Sequence, residues 1–180
     1  MERFQKNVVI ISLIEILKEK GSWCGETHIQ KSTYFLQELL EVPLDFEFIL
    51  YKHGPYSFAL TDELTAMRAD GLIKLVPQPY PFGPSLLPSD SSKALKRMYR
   101  EALEKYYNKV IYIAEKLGDT GVASLERLAT ALYVTLEDEM KDVKSRADRI
   151  HRLKPHVSVE EALEAVIIVD KIRQESKEVI

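Results

Sequence analysis

Cys24 and His28 have a Cys-x-x-x-His spacing, which could supply two ligands to a metal or a thiol and its base. Structural zinc takes four ligands, and Cys24 is the only cysteine. Ser57 beside His53 is a second possible nucleophile and base, but neither pair has a strand-to-helix elbow or an identifiable third group to orient it. A glycine-rich phosphate loop is absent. No metal, cofactor or catalytic activity is therefore expected.

Three segments remain that could recognise another molecule. In His53-Gly54-Pro55-Tyr56-Ser57 the glycine and proline force a tight turn, and His53 and Tyr56 could present polar tips to a partner. Equally, the turn could only aim the following helix, with Tyr56 packed on the core. The loop Pro77-Gln78-Pro79-Tyr80-Pro81-Phe82-Gly83-Pro84 holds Tyr80 and Phe82 on a stiff segment that loses little entropy on binding, unless both rings tuck against the helix after Ser89. Residues 141–156 carry Lys141, Lys144, Arg146, Arg149, Arg152 and Lys154 against Asp142 and Asp148. That cluster could meet nucleic acid or an acidic protein, or be a solvated helix face favoured by the dipole.

The elements that position these segments follow from periodicity and punctuation. Apolar residues from Val8 to Leu17 predict a first helix over residues 4–20, stopped by Gly21. Thr27 and Gln30 have capping-box spacing for a helix to about Glu41, with Ile29, Thr33, Leu36 and Leu40 as its buried stripe. After Pro43, alternation over residues 46–51 predicts a strand. Ser57 is placed to cap a helix with Leu60, Leu64 and Met67 on one side, closed by Gly71 before a strand over 72–76. The remainder reads as helices over 92–117, 122–136, 138–153 and, opened by the capping box Ser158 to Glu161, about 159–176. The expected fold is mostly α with a small β component: a winged-helix-like part over residues 1–88, and a helical bundle over 89–180 packed on it as one globule.

Charge and composition narrow the partners. Residues 1–92 carry 8 basic and 12 acidic side chains, and residues 93–180 carry 17 and 16, for a net charge of −3. A nucleic-acid reader normally shows a basic surface, yet the second helix, which would read DNA in a winged helix, has Lys31 against Glu26, Glu38 and Glu41. The apolar run at 8–17 is too short to span a bilayer, and a lone cysteine suits a reducing compartment, so a cytoplasmic location without a membrane partner is expected. The run Val166-Ile167-Ile168-Val169 is wider than one stripe and suits either a homodimer face or a buried core.

Gln30-Lys31-Ser32-Thr33-Tyr34-Phe35 on a helix, then Tyr51-Lys52-His53-Gly54-Pro55-Tyr56-Ser57, then Asp70-Gly71-Leu72-Ile73 at a helix end, resembles the Panacea domain of SocA-like antitoxins. The chain also resembles a group of prokaryotic proteins that share the Tyr-x-His-Gly-Pro-Tyr-Ser segment. Their helical tail carries counterparts of Leu128-Ala129-Thr130 and Leu153-Lys154-Pro155-His156. The resemblance implies a non-enzymatic regulatory module with a protein partner, toxin-like or regulatory. Contact would run through Tyr51, His53, Gly54, Pro55, Tyr56, Tyr80 and Phe82. The alternative is a nucleic-acid-binding regulator using Lys144, Arg146, Arg149 and Arg152.

Overall fold

Val8 to Ile14 is apolar except for Ser12, so the helix they form, α1 (Arg3–Glu19), is buried on every side along that stretch and sits at the centre of the molecule. The computed structural model describes residues 1–137 and 142–179. The chain is mostly helical with two small antiparallel hairpins. After α1 come α2 (Glu26–Glu38), β1 (Ile49–Tyr51), β2 (Gly54–Tyr56) and α3 (Phe58–Ala69). Next are β3 (Ile73–Val76), β4 (Ser85–Pro88), α4 (Ser91–Met98) and α5 (Arg100–Leu117). The last three helices are α6 (Val122–Glu137), α7 (Val143–Leu153) and α8 (Val159–Ser176). No helix among the described residues is long and apolar enough to cross a membrane.

α1 lies along α5 and touches α2, α4 and β4, while α6, α7 and α8 pack on one another and reach the front of the molecule through α2 and β2. One hydrophobic cluster joins both parts, from Ile10 and Phe35 through Leu60 and Ile113 to Leu132 and Val166. α2 is buried over most of its length, His28 to Leu36, which leaves its Gln30 and Lys31 inside the protein.

Several punctuation signals act as read. Ser57 Oγ accepts from the Leu60 amide, Gly71 closes α3 with φ +70°, and Ser158 and Glu161 form the capping box of α8. Residues 77–84 form no regular element.

Other expectations are corrected. α2 is capped at Gly25 and not through Thr27, because the Gln30 amide is committed elsewhere, bonding the Ser57 backbone in both directions. The strand expected over 46–51 is confined to Ile49–Tyr51. The Phe46 amide and carbonyl are both satisfied by the Gln37 side chain, at 2.8 and 2.9 Å, which stands in for a ladder partner. The turn is also narrower than expected: Lys52-His53 joins the strands, and Gly54 and Pro55 already pair with Tyr51 and Leu50. Strand β4 went unforeseen; it pairs with β3, and its Leu86 amide also reaches the Cys24 carbonyl. The single helix expected over 92–117 breaks at Tyr99, where φ is −111° and ψ 35°. The helix expected from 138 begins at Val143, with residues 138–141, including Lys141, outside the described residues.

Candidate functional site

The hairpin of β1 and β2 rests its Gly54 on α6 and α2. A Cβ at Gly54 would sit 3.1 Å from Thr130 Oγ1 and 3.4 Å from the Glu126 carbonyl, with Lys31 Cε at 3.6 Å, and its φ is +85°. Glycine is needed here for both conformation and space. Gly54→Ala is expected to destabilise the protein by about 1–3 kcal/mol through left-handed strain and the displaced contact, whereas Gly121→Ala, in open space, stays within about 0.5 kcal/mol. Urea unfolding of the two variants checks this, and equal midpoints would remove the close-approach argument.

Two buried lysines hold the hairpin by its backbone. Lys31, from α2 and only 2% exposed, donates to the Pro55 carbonyl at 2.7 Å. Lys154, just past α7 and 6% exposed, donates to the carbonyls of Tyr51 and Lys52. Glu126 on α6, 7% exposed, is the nearby counter-charge, with Oε1 3.8 Å from Lys154 Nζ. Two half-exposed histidines close over it: His53 Nδ1 lies 3.2 Å from Oε2 and His156 Nε2 lies 3.1 Å from Oε1. Burial pushes the Lys31 ammonium down to about 8, against the pull of Glu126 and with the push of Lys154. Burial lowers Lys154 as well, again opposed by Glu126.

This constellation gathers segments far apart in sequence. Gln30-Lys31, residues 51–57, Thr130 and the Leu153-Lys154-Pro155-His156 run all meet at the hairpin.

On the outer side, Tyr51, Tyr56 and Phe58 form a ring cluster with centroids 5.1 to 5.8 Å apart. Tyr51 is 53% and Phe58 55% exposed, and Ile49 is exposed beside them. The Tyr56 hydroxyl is tied to Thr61 and Glu26. A cleft of about 310 Å³ runs between the hairpin and the start of α2, reaching Lys31. A larger one of about 690 Å³ lies between the hairpin and the α7–α8 connection.

The other sequence candidates lie elsewhere. Phe82 packs on Trp23, at 5.1 Å between centroids, and not on the helix after Ser89, while Tyr80 is 97% exposed. In the basic segment Arg146 is buried and forms a two-pronged pair with Asp170 while also donating to Thr135, and Arg149 pairs with Glu137. Lys144 and Arg152 face solvent. Of the run on α8, Val166 and Val169 are core, and Ile167 and Ile168 are exposed.

Cys24 and His28 serve structural contacts. The thiol donates to the Ile14 carbonyl and is pushed up by burial. His28 contacts Ser22 Oγ and the Leu117 carbonyl, and its burial lowers its pKa. Among the described residues no group of three or more His, Cys, Asp or Glu side chains is arranged to hold a metal.

Sequence reasoning missed Lys31, Glu126 and Lys154 as a unit, and Phe58 as part of the outer face. One signal was available: Glu126 shares a stripe of α6 with Ala129 and Thr130, both buried, where a charge needs a partner. No family model matches this chain, and no curated protein matches it.

Proposed function

We propose that the chain is a non-enzymatic protein-interaction module that presents the β1–β2 hairpin and the neighbouring Phe58 as its recognition face. The supporting observation is the contrast between the two sides of the hairpin. Its inner side is fixed by Lys31 of α2 and by Lys154 just past α7, at the desolvation cost of two buried ammonium groups, and its outer side leaves the rings of Tyr51 and Phe58 exposed around the half-buried Tyr56. A face held rigid before binding loses little order on docking, and aromatic side chains carry much of the energy of protein interfaces.

This agrees with the regulatory role implied by the resemblance to Panacea antitoxins. In that reading α1, α2, α3 and the β3–β4 hairpin form a winged-helix-like unit with the β1–β2 hairpin inserted ahead of α3, and Tyr80 and Phe82 offer a second contact. The nucleic-acid alternative loses support because Arg146 and Lys154 are buried against partners of their own and Lys31 is inside the protein.

Affinity capture of tagged protein from its native cells, with half the sample nuclease-treated, tests the proposal. A protein partner is expected to survive nuclease and to be lost with Tyr51→Ala/Phe58→Ala, each ring contributing about 2 kcal/mol, while the distant Glu164→Gln variant retains it. Recovery of nuclease-sensitive material alone, or a partner indifferent to the aromatic double variant, would overturn the reading.

A further inference from the structure

We infer that the cleft between the β1–β2 hairpin and the α7–α8 connection receives an acidic segment of a partner protein, whose carboxylates meet Lys52 and the outer ring nitrogens of His53 and His156 while an apolar side chain lies between Tyr51 and Leu153. This rests on the protein-interaction reading and specifies the chemistry of what docks.

The cleft combines apolar walls with a cationic floor. Leu50, half-exposed Tyr51 and exposed Leu153 line its sides, and Lys52, Lys154 and the two histidines stand against one carboxylate, Glu126. The chain as a whole has a net charge of −3, so a lining with more cations than anions departs from the chain's overall balance and favours an acidic ligand. The mixture of apolar wall and isolated cations suits a peptide better than a nucleic acid, since a phosphate backbone needs a track of cations and would meet Glu126 at the floor.

The histidines add a specific chemistry. Each gives one ring nitrogen to Glu126, His53 through Nδ1 and His156 through Nε2. This leaves Nε2 of His53 and Nδ1 of His156 for a ligand. A neutral imidazole donates through one nitrogen only, so a ring bonded to Glu126 on one side and to an incoming carboxylate on the other must hold two protons. Binding therefore takes up protons, so affinity rises as pH falls.

The titratable groups facing the two rings are Glu126 on α6, Glu161 on α8 beside His156, Lys154 beyond α7, Lys31 and Glu26 on α2, and Tyr51, Lys52 and Tyr56 on the hairpin. Of these, Lys31, pushed down to about 8 by burial, donates to the Pro55 carbonyl and does not line this cleft, so replacing the two histidines together reports their own share of the pH dependence.

The test pans a displayed library of random short peptides against the whole chain at about pH 6, then measures anisotropy of the selected peptides at about pH 6 and about pH 8. Sequences pairing Asp or Glu with Leu, Phe or Trp are expected, binding about tenfold more weakly at the higher pH. Lys52→Glu, which changes an exposed side chain and keeps the backbone carbonyl that Lys154 bonds, is expected to weaken them about tenfold as well. The double variant His53→Gln/His156→Gln keeps a donor towards Glu126 and is expected to lose the pH dependence.

Selected peptides without acidic enrichment, an unchanged pH profile in the double variant, or displacement by a single-stranded oligonucleotide in preference to the acidic peptides would overturn the inference. Recovery of no peptide at all does the same. The protein-interaction reading falls separately, only when the captured partner ignores Tyr51 and Phe58.

Discussion

Glu126→Ala is expected to cost about 3–5 kcal/mol of stability at neutral pH and to lower the unfolding midpoint by roughly 6–20 °C. The carboxylate is the counter-charge of Lys154, 3.8 Å away, and it raises the proton affinity of Lys31 against the effect of burial. Removing it leaves two interior ammonium groups beside each other, and Lys154 cannot swing to water without releasing the Tyr51 and Lys52 carbonyls. Two routes of relief limit the loss. Lys31 is already lowered to about 8 and can give up its proton near neutrality for about 1.4 kcal/mol per pH unit. His53 and His156 are half exposed and simply return to solvent.

Glu126→Gln, which keeps the shape and one acceptor, separates lost charge from lost packing, because only the charge component persists in it. Urea unfolding with an unchanged m-value measures both. An alanine variant within about 0.5 kcal/mol of the parent would mean that the two lysines do not depend on this carboxylate.

What the sequence conveyed and what it withheld divide along contact distance. Ser57, Gly71 and the Ser158–Glu161 box act within four residues of themselves, so their chemistry is complete in the local text. Thr27 and Gln30 have equally good capping spacing, but the glutamine amide finds the Ser57 backbone 27 residues away, and the long-range bond prevails. Phe46 alternates like a strand residue and is denied a strand by Gln37.

The largest gap concerns charge. Arg146 and Lys154 stand in a run that reads as a solvated basic face, yet one is paired with Asp170 on α8 and the other spans 103 residues to the Tyr51 carbonyl. Composition counts such side chains but cannot say which of them are interior. The segment at residues 53–57 was legible as a turn motif, because glycine and proline at a turn are local features; its pairing with β1 as a strand, and the lysines that hold the hairpin, were not.

The pH dependence of stability isolates Lys31 and carries the second large effect. The unfolded chain keeps this proton to about pH 10.5, while the folded chain keeps it only to about 8. Between those values the unfolded state binds more protons, so this group makes the folded state more stable as pH rises. Integration gives roughly 2 kcal/mol between about pH 7 and about pH 9.5. Other groups act in the same window. Burial raises the Cys24 thiol and raises Tyr112 to about 12, and both remove stability as pH rises, because their protons leave the unfolded state first. Lys154, lowered by burial, acts in the same direction as Lys31.

These contributions are shared by the parent and a Lys31→Met variant, so the difference between their stability curves reports Lys31. Methionine leaves the Pro55 carbonyl without its donor, which offsets the variant by a constant at every pH. The stability of the parent relative to the variant is thus expected to climb by about 2 kcal/mol across that interval in urea unfolding. A flat difference curve would show that Lys31 keeps an ordinary proton affinity and that water reaches it, in which case the hairpin is not clamped by a desolvated ammonium and its outer rings are less rigidly presented.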